Sequence, residues 1–214
     1  TPDSAYTLSV DAGSATVKST TVSRTETTQA DFAAGTLTNV VATSAGDLEL
    51  ALSATNLALN KPATASSVES AQPTCTANKA NDGDTTTRWS SEYSNPQWWQ
   101  VDLGAAYPVW GCKILWEDAA AKDYKIQCSN DGINWTDAYS YTNGTTGPRT
   151  DNLTWSAQKA RYWRVYGLTR ATSYGYSIYE IEFYGGYNLF GTRTSPTLDL
   201  SPVGTAAGSS ISWN

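Results

Sequence analysis

Four segments in the middle of the chain alternate apolar and polar residues with a period of two. The segments are 99–103, 124–129, 161–166 and 178–184. This period predicts β-strands with one buried face. In the last segment it places Tyr179, Ile181 and Phe183 on the buried face, opposite Glu180 and Glu182.

Clusters of turn-forming residues separate these predicted strands. They stand at 81–84, 130–132, 143–144 and 185–186, and each contains glycine. Fainter strand patterns occur at 37–43, 48–52, 197–200 and 210–213, and no long helical stripe occurs anywhere. Many short strands between turns predict an all-β fold, an antiparallel sandwich or barrel.

Composition divides the chain into three regions. Residues 54–186 hold eight of the nine tryptophans and all three cysteines, whereas 1–53 and 187–214 are rich in Thr and Ser. The middle region is therefore predicted to be a domain of its own. Three interpretations of the flanks stay open: two halves of one smaller secreted β-module into which the middle domain is inserted, two unstructured linkers, or an incomplete sheet that takes a strand from a neighbouring subunit.

Charge and composition disfavour several classes of function. The 214-residue chain has a net charge of −6 and a pI near 4.6, which disfavours nucleic-acid binding. Its loops are mixed or acidic, which also disfavours binding to a phospholipid surface. Histidine is absent, so the usual general base and the Ser-His-Asp arrangement are excluded. Neighbouring carboxylates such as Glu117 with Asp118, or Glu180 with Glu182, are a poor catalytic pair for a glycosidase.

Two further features concern the setting of the chain. It has no methionine and carries three Asn-x-Ser/Thr sequons, so we expect a mature or excised piece of an extracellular protein. Cys112 and Cys128 are equidistant from residue 120; they form either a cross-strand disulfide or two buried thiols. Cys75 is expected to be unpaired in a loop.

A series of motifs in the middle region carries a specific resemblance. The motifs occupy 56–67, 80–89, 98–104, 123–132, 161–167 and 174–185. Together they resemble the discoidin domain (coagulation factor 5/8 type C), above all the bacterial branch classed as family 32 carbohydrate-binding modules. The resemblance implies an eight-stranded antiparallel jelly-roll (galactose-binding-like) sandwich with one structural calcium ion and a ligand bound in loops at one end.

The calcium ligands follow from the same resemblance. From the residues alone, Asp82 and Asp84 in a glycine turn are compatible with either a plain turn or a cation loop, since Ca²⁺ prefers carboxylate and carbonyl oxygens. The resemblance implies a complete set: the carbonyls of Lys79 and Tyr179, the carboxylates of Asp82, Asp84 and Glu180, and the hydroxyl and carbonyl of Thr87.

Sugar recognition needs a flat apolar platform beside polar groups that bind hydroxyls. The predicted ligand-binding residues lie in segments expected to be loops: Glu92, Tyr93, Trp116, Glu117, Lys122, Arg170, Tyr174 and Tyr176. Other large side chains have structural roles in this interpretation, with Trp89, Trp98, Trp135 and Trp163 in the core and Arg88 and Arg161 bracing loops through ion pairs. The absence of histidine disfavours terminal galactose within a family whose ligands include galactosides, glucans, uronates and chitosan-like polymers.

The sequence thus predicts a non-catalytic carbohydrate-binding module of a secreted or cell-surface multidomain protein, with a polysaccharide or glycan as its partner. The alternative is a structural subunit of an extracellular filament or surface layer that displays a sugar-binding domain and self-associates by strand donation through the flanks.

Overall fold

The computed structural model describes residues 26–196, together with the backbone of three strands at 6–9, 22–24 and 210–213. The chain divides into two compact units. One comprises Thr1–Ala51 with Asn188–Asn214, and the other is Leu52–Tyr187. No helix in the described part of the chain is both long and apolar enough to cross a membrane.

Almost all regular structure is β. The strands are β1 Tyr6–Ser9, β2 Val22–Arg24, β3 Thr36–Thr38, β4 Val40–Ala42, β5 Leu48–Leu50, β6 Leu52–Asn56, β7 Ala63–Ala65, β8 Trp89–Ser90, β9 Gln97–Trp116, β10 Ala121–Ser129, β11 Thr136–Tyr141, β12 Arg149–Arg170, β13 Ser177–Tyr187, β14 Thr192–Thr194 and β15 Ser210–Trp213. One short α-helix, α1 (Gln29–Ala33), and one 3₁₀ helix (Ala77–Ala80) complete the described elements. Every strand pair is antiparallel, and the predicted all-β fold is confirmed.

Two long strands build the Leu52–Tyr187 unit, because each takes part in both layers of a sandwich. The strand order is β11-β10-β12-β9-β13-β6, with β7 paired to β9 and β8 to β13. The second half of β12 pairs with the first half of β9, as in Tyr166 with Trp98, and its first half pairs with the second half of β9, as in Arg149 with Trp116. Register shifts near Ala160 mark the corner where β12 changes layer.

The core lies between these two layers. Trp163 of β12 and Phe183 of β13 are fully buried, and their ring centroids lie 5.6 Å apart. Trp89 and Trp163 occupy the predicted core positions. Trp98 and Trp135 were expected there too, but both are only half-buried, and Trp135 packs under the Arg164 guanidinium with 4.1 Å from its carbon to the ring centroid.

The burial pattern of β13 departs from the predicted alternation. Ile181 and Phe183 are buried as expected, but Tyr179 is half-buried and Glu180 is only 6% exposed. The register against β9 shifts between Ile178 and Glu180, so Tyr179 is left without a partner in the ladder. Glu180 still alternates with Ile181, and it is buried on the other face of the strand by the loop whose Gly83 N–H donates to its carboxylate.

The cysteines are free thiols. Cys112 lies on β9 and Cys128 on β10, and β12 separates these strands in the sheet. The disulfide alternative is therefore wrong, because the two segments are not neighbours. Burial raises the pKa of the Cys112 thiol well above its ordinary value.

The other unit joins segments from both flanks. Strand β3 pairs with β14, and β1 pairs with β15. The Arg193 guanidinium, on β14, lies 2.7 Å from a carboxylate oxygen of buried Glu26 and donates to the carbonyl of Phe32 at 2.9 Å. Asn39, with a φ of 56°, separates β3 from β4 within the predicted strand 37–43. The predicted strand 197–200 lies outside the described residues.

Candidate functional site

A cleft of about 520 Å³ lies at one end of the Leu52–Tyr187 unit. Four segments line it: 69–72, 88–93, 117–119 and 174–177. They come from the loop after β7, from β8 with its flanks, from the β9–β10 connection and from the loop before β13. Residues more than a hundred positions apart thus share one polar depression on the surface.

Two exposed tyrosines form the rim of the cleft. Tyr93 is 45% exposed and Tyr174 is 59% exposed, and their rings meet edge to face at 5.6 Å and 88°. The Tyr93 hydroxyl donates to Glu69 Oε1 at 2.5 Å, and this hydrogen bond raises the pKa of Tyr93. The Tyr93 ring is therefore held in one orientation, by the contact with Tyr174 and by the hydrogen bond of its hydroxyl to Glu69, and it offers an aromatic face at the rim.

An arginine and a glutamate face each other inside the cleft. The Arg88 guanidinium donates to Ser177 Oγ at 2.8 Å and lies 4.0 Å from Glu117 Oε2. The same Glu117 oxygen accepts from the Ala119 N–H at 3.0 Å. Arg88 was predicted to brace a loop through an ion pair, and the structure also places it in the cleft wall.

Two predicted ligand-binding aromatics are buried. Trp116 is fully buried, and its indole N–H donates to the buried Asp151 carboxylate at 2.7 Å, so its prediction as a sugar platform is wrong. Tyr176 borders the cleft but is only 2% exposed, because its ring packs in the core and its hydroxyl donates to Asn95 Oδ1 at 2.6 Å. A position at a strand end does not by itself make a side chain accessible.

Three other predicted ligand-binding residues lie outside the cleft lining. Arg170 donates to the carbonyls of Ser173 and Tyr174, each at 3.0 Å, and thus braces the loop that carries the rim tyrosine. Glu92 accepts from the Ser70 N–H at 2.8 Å and ties two lining loops together. Lys122 is exposed but does not line the cleft.

Sequence reasoning missed the 69–72 loop altogether. Glu69 and Gln72 line the cleft, yet they stand in a polar loop with no aromatic residue and no strand pattern. Glu69 meets Tyr93 across 24 positions of sequence. Only the pairing of distant strands brings them together, so no local signal identifies them.

A second group of oxygens lies in the loop after the 3₁₀ helix. The Thr87 hydroxyl lies 3.0 Å from both carboxylate oxygens of Asp82, 3.2 Å from the Lys79 carbonyl and 3.1 Å from the Asp84 carbonyl. The Asp84 carboxylate turns away and accepts from the Thr86 N–H at 2.9 Å, so Asp84 presents its backbone oxygen to this group.

The buried Glu180 carboxylate adjoins the same loop. Its Oε2 accepts from the Gly83 N–H at 3.2 Å, and its Oε1 is buried without a hydrogen-bond partner. Burial, with the nearby Asp82 charge, raises the pKa of Glu180 to about 7. Tyr179, the preceding residue on β13, is half-buried. An orphaned buried carboxylate oxygen beside a second carboxylate fits a bound cation.

Side chains alone do not complete such a site. Within residues 26–196, no group of three or more His, Cys, Asp and Glu side chains is arranged to hold a metal ion. The two carboxylates of Asp82 and Glu180 would need hydroxyl and carbonyl oxygens as further ligands, which hard cations such as Ca²⁺ accept.

Comparison with known proteins gives relatives of the Leu52–Tyr187 unit. The chain is similar to chitosan-binding module 1 of a chitosanase/glucanase from Paenibacillus sp. IK-5, with 50% identity over 61% of this chain and 99% of that module and a TM-score of 0.57. It is also similar to chitosan-binding module 2 of the same enzyme, solved with chitotriose, with 46% identity over 61% of this chain and all of that module, again with a TM-score of 0.57.

A curated relative is much longer. The polysaccharide lyase 8 family protein HylA of Enterococcus faecalis (strain ATCC 700802 / V583) is 32% identical over an alignment of 143 residues, which covers 61% of this chain and 10% of that protein. A family model described as the F5/8 type C domain matches residues 62–181, more than half of the chain. The antiparallel sandwich, the motif order and this match agree, and the chain belongs to the F5/8 type C domain family.

Proposed function

We propose that the cleft binds an oligosaccharide rich in glucosamine, of the chitosan type, and that the chain acts as a non-catalytic carbohydrate-binding module. The observation that carries this proposal is the charge of the cleft. Glu69, Glu117 and Asp118 line it with one compensating guanidinium, Arg88. Free amines of glucosamine are cationic when protonated, and an acidic cleft attracts them.

The rim supplies the second element of sugar recognition. Tyr93 presents a half-exposed ring on which the C–H face of a pyranose packs, while its hydroxyl is held by Glu69. The names of the two similar modules support the choice of ligand, since both are chitosan-binding and one was solved with chitotriose. The whole protein would then be an extracellular polysaccharide-processing protein in which this unit attaches to the substrate.

A structural calcium ion forms the second part of the proposal. Asp82 and Glu180 would supply carboxylates, and Lys79, Asp84, Thr87 and Tyr179 would supply carbonyl or hydroxyl oxygens. The ion would neutralise two neighbouring carboxylates and link the loop after the 3₁₀ helix to β13. Its contribution is to stability, since the cleft is lined by other residues.

Titration calorimetry with a glucosamine trimer, an N-acetylglucosamine trimer and galactose tests the ligand. We expect binding of the glucosamine trimer with a Kd of roughly micromolar to millimolar strength, as for small solvated sites. Tyr93→Ala should weaken it at least about tenfold. Tyr107→Ala, which changes another exposed tyrosine that does not line the cleft, is the matched control. Preference for an uncharged sugar, or full affinity in Tyr93→Ala, would contradict the proposal.

A further inference from the structure

Asp118 is the cleft carboxylate without a partner. It is exposed and lines the cleft, and its carboxylate makes no hydrogen bond or ion pair within residues 26–196. The two other acidic residues are engaged: Glu117 by the Ala119 N–H and by Arg88, and Glu69 by the Tyr93 hydroxyl. A carboxylate that is solvated in the free protein remains available to a cationic ligand.

The backbone around Asp118 is fixed on every side. The Glu117 N–H donates to the Ser177 carbonyl at 3.1 Å, and the Ala119 carbonyl accepts from the Ser177 N–H at 2.8 Å. The Asp118 carbonyl accepts from Gly147 at 3.4 Å. Trp116 and Ala119, on either side of the acidic pair, are buried. The connection therefore holds the backbone of Asp118 in place before any ligand binds, so that only its side chain has to be ordered on binding.

A second polar group in the cleft also lacks a partner. Ser90 lines the cleft on β8, is only 2% exposed, and its hydroxyl makes no hydrogen bond. Buried hydroxyls are normally paired, and a serine can turn between staggered rotamers to meet an incoming group. The cleft thus has both a free charge and a free hydroxyl that its own residues leave unsatisfied.

We infer that Asp118 is a further specificity-determining residue, which binds a second ammonium group of the aminosugar chain next to the one that faces Glu117. This inference rests on the proposed function of the cleft. Because 117 and 118 are consecutive, their Cα atoms are about 3.8 Å apart. The carboxylates of Glu117 and Asp118, on the β9–β10 connection, can then each bind one ammonium group. A ligand with several free amines would therefore bind more tightly than a ligand with a single free amine. The ligand class is a glucosamine oligomer that is deacetylated on neighbouring residues.

The experiment compares two trimers by titration calorimetry: one of glucosamine, and one in which two of the three amines are acetylated. Asp118→Asn keeps the shape of the side chain and removes its charge. We expect it to weaken binding of the glucosamine trimer about three- to fivefold, as for an exposed ion pair. Binding of the acetylated trimer should stay within about twofold. The melting temperature should not change, because the Asp118 carboxylate has no partner in the described part of the fold.

Asp137→Asn is the matched control, since it removes an exposed carboxylate that pairs with Lys125 on the sheet and does not line the cleft. Equal weakening of both trimers by Asp118→Asn, or no weakening of either, would overturn the inference. If wild-type protein fails to bind the glucosamine trimer, the proposed function itself fails. Wild-type binding with an unaffected Asp118→Asn variant overturns the role of Asp118 alone.

Discussion

Two acidic regions of the same unit use carboxylates in opposite ways. In the loop after the 3₁₀ helix, Asp82 and the buried Glu180 lie close to one another, and one Glu180 oxygen has no partner. In the cleft, Glu69 and Glu117 are each held by a neighbouring donor, and Asp118 faces solvent.

The difference shows how burial decides what a carboxylate does. In the first region Asp82 is half-buried and lies 3.2 Å from the Lys79 ammonium, whereas the buried Glu180 has one oxygen without a hydrogen-bond partner. A buried carboxylate oxygen without a partner is unfavourable, so a cation bound there would stabilise the fold. Solvated carboxylates cost little in the free protein and contribute mainly when a charged ligand arrives. The first region should therefore govern stability, and the second should govern binding.

Removal of calcium gives the largest expected effect. At free calcium a hundredfold above its Kd, the ion should add about 2.7 kcal/mol to the free energy of unfolding. Thermal melts with EDTA and with excess Ca²⁺ should therefore differ by several degrees. Asp82→Asn should abolish the difference, while Asp131→Asn, a turn carboxylate elsewhere in the unit, should retain it. Identical wild-type melts with EDTA and with Ca²⁺ would show that Asp82 and Glu180 hold no calcium.

The second largest effect is expected in the pH dependence of the free energy of unfolding of the calcium-free protein. The folded pKa of Glu180 is about 7, above its ordinary value of 4.5, so the folded state binds this proton more tightly than the unfolded state does. The contribution to stability is fully present below pH 4.5 and is lost as pH rises through 7. The loss should amount to about 2 kcal/mol.

Urea unfolding at pH 5 and pH 8 in EDTA measures this loss. Glu180→Gln should be less sensitive to this change of pH, because the amide does not ionise, and it should no longer respond to calcium. The difference between wild type and variant isolates Glu180 from the other titrating groups. If wild type and Glu180→Gln lose the same free energy of unfolding between pH 5 and pH 8, ionisation of Glu180 does not contribute to the pH dependence of stability.

Neutralising a cleft carboxylate gives the smallest change in stability and a selective change in binding. Glu117→Gln retains an oxygen for the Ala119 N–H, so unfolding should stay within about 0.5 kcal/mol of wild type. Affinity for the glucosamine trimer should fall about fivefold to tenfold. Glu182→Gln, which alters a carboxylate that pairs with Lys113 and does not line the cleft, is the control for binding. A large loss of stability in Glu117→Gln would remove the distinction between the two regions.

Four strands of the Leu52–Tyr187 unit were predictable from the alternation of apolar and polar residues, because each pattern depends on residues two positions apart, whereas the short strands β7, β8 and β11 were not. The segments 99–103, 124–129, 161–166 and 178–184 all lie within strands. The burial of Glu180 was not predictable from the alternation, since the loop that covers its face of the strand, around Gly83, lies 97 positions away. Alternation identifies a strand and its two faces, but it does not show which loop covers the outer face.

The cleft was only partly predictable, because it depends on contacts between distant segments. Tyr93, Glu117 and Tyr174 were identified from loops that carry aromatic or charged residues, and all three line the cleft. Trp116 was misassigned because residues of other strands surround it, among them Tyr124 and Asp151, which lies 35 positions away and accepts its indole N–H. The disulfide alternative failed for a similar reason, since β12 lies between the strands that carry the two cysteines.

The pairing of β6 with β13 has a consequence for how this unit can be used. Leu52 and Tyr187, its first and last residues, are partners across an antiparallel ladder, so their Cα atoms lie about 5 Å apart. A segment that enters and leaves through adjacent residues can be transplanted into a single surface loop of a host protein without stretching the host chain. The same closeness makes the unit suitable for circular permutation: a short peptide can join Leu52 to Tyr187, and new termini can be placed in a loop remote from the cleft.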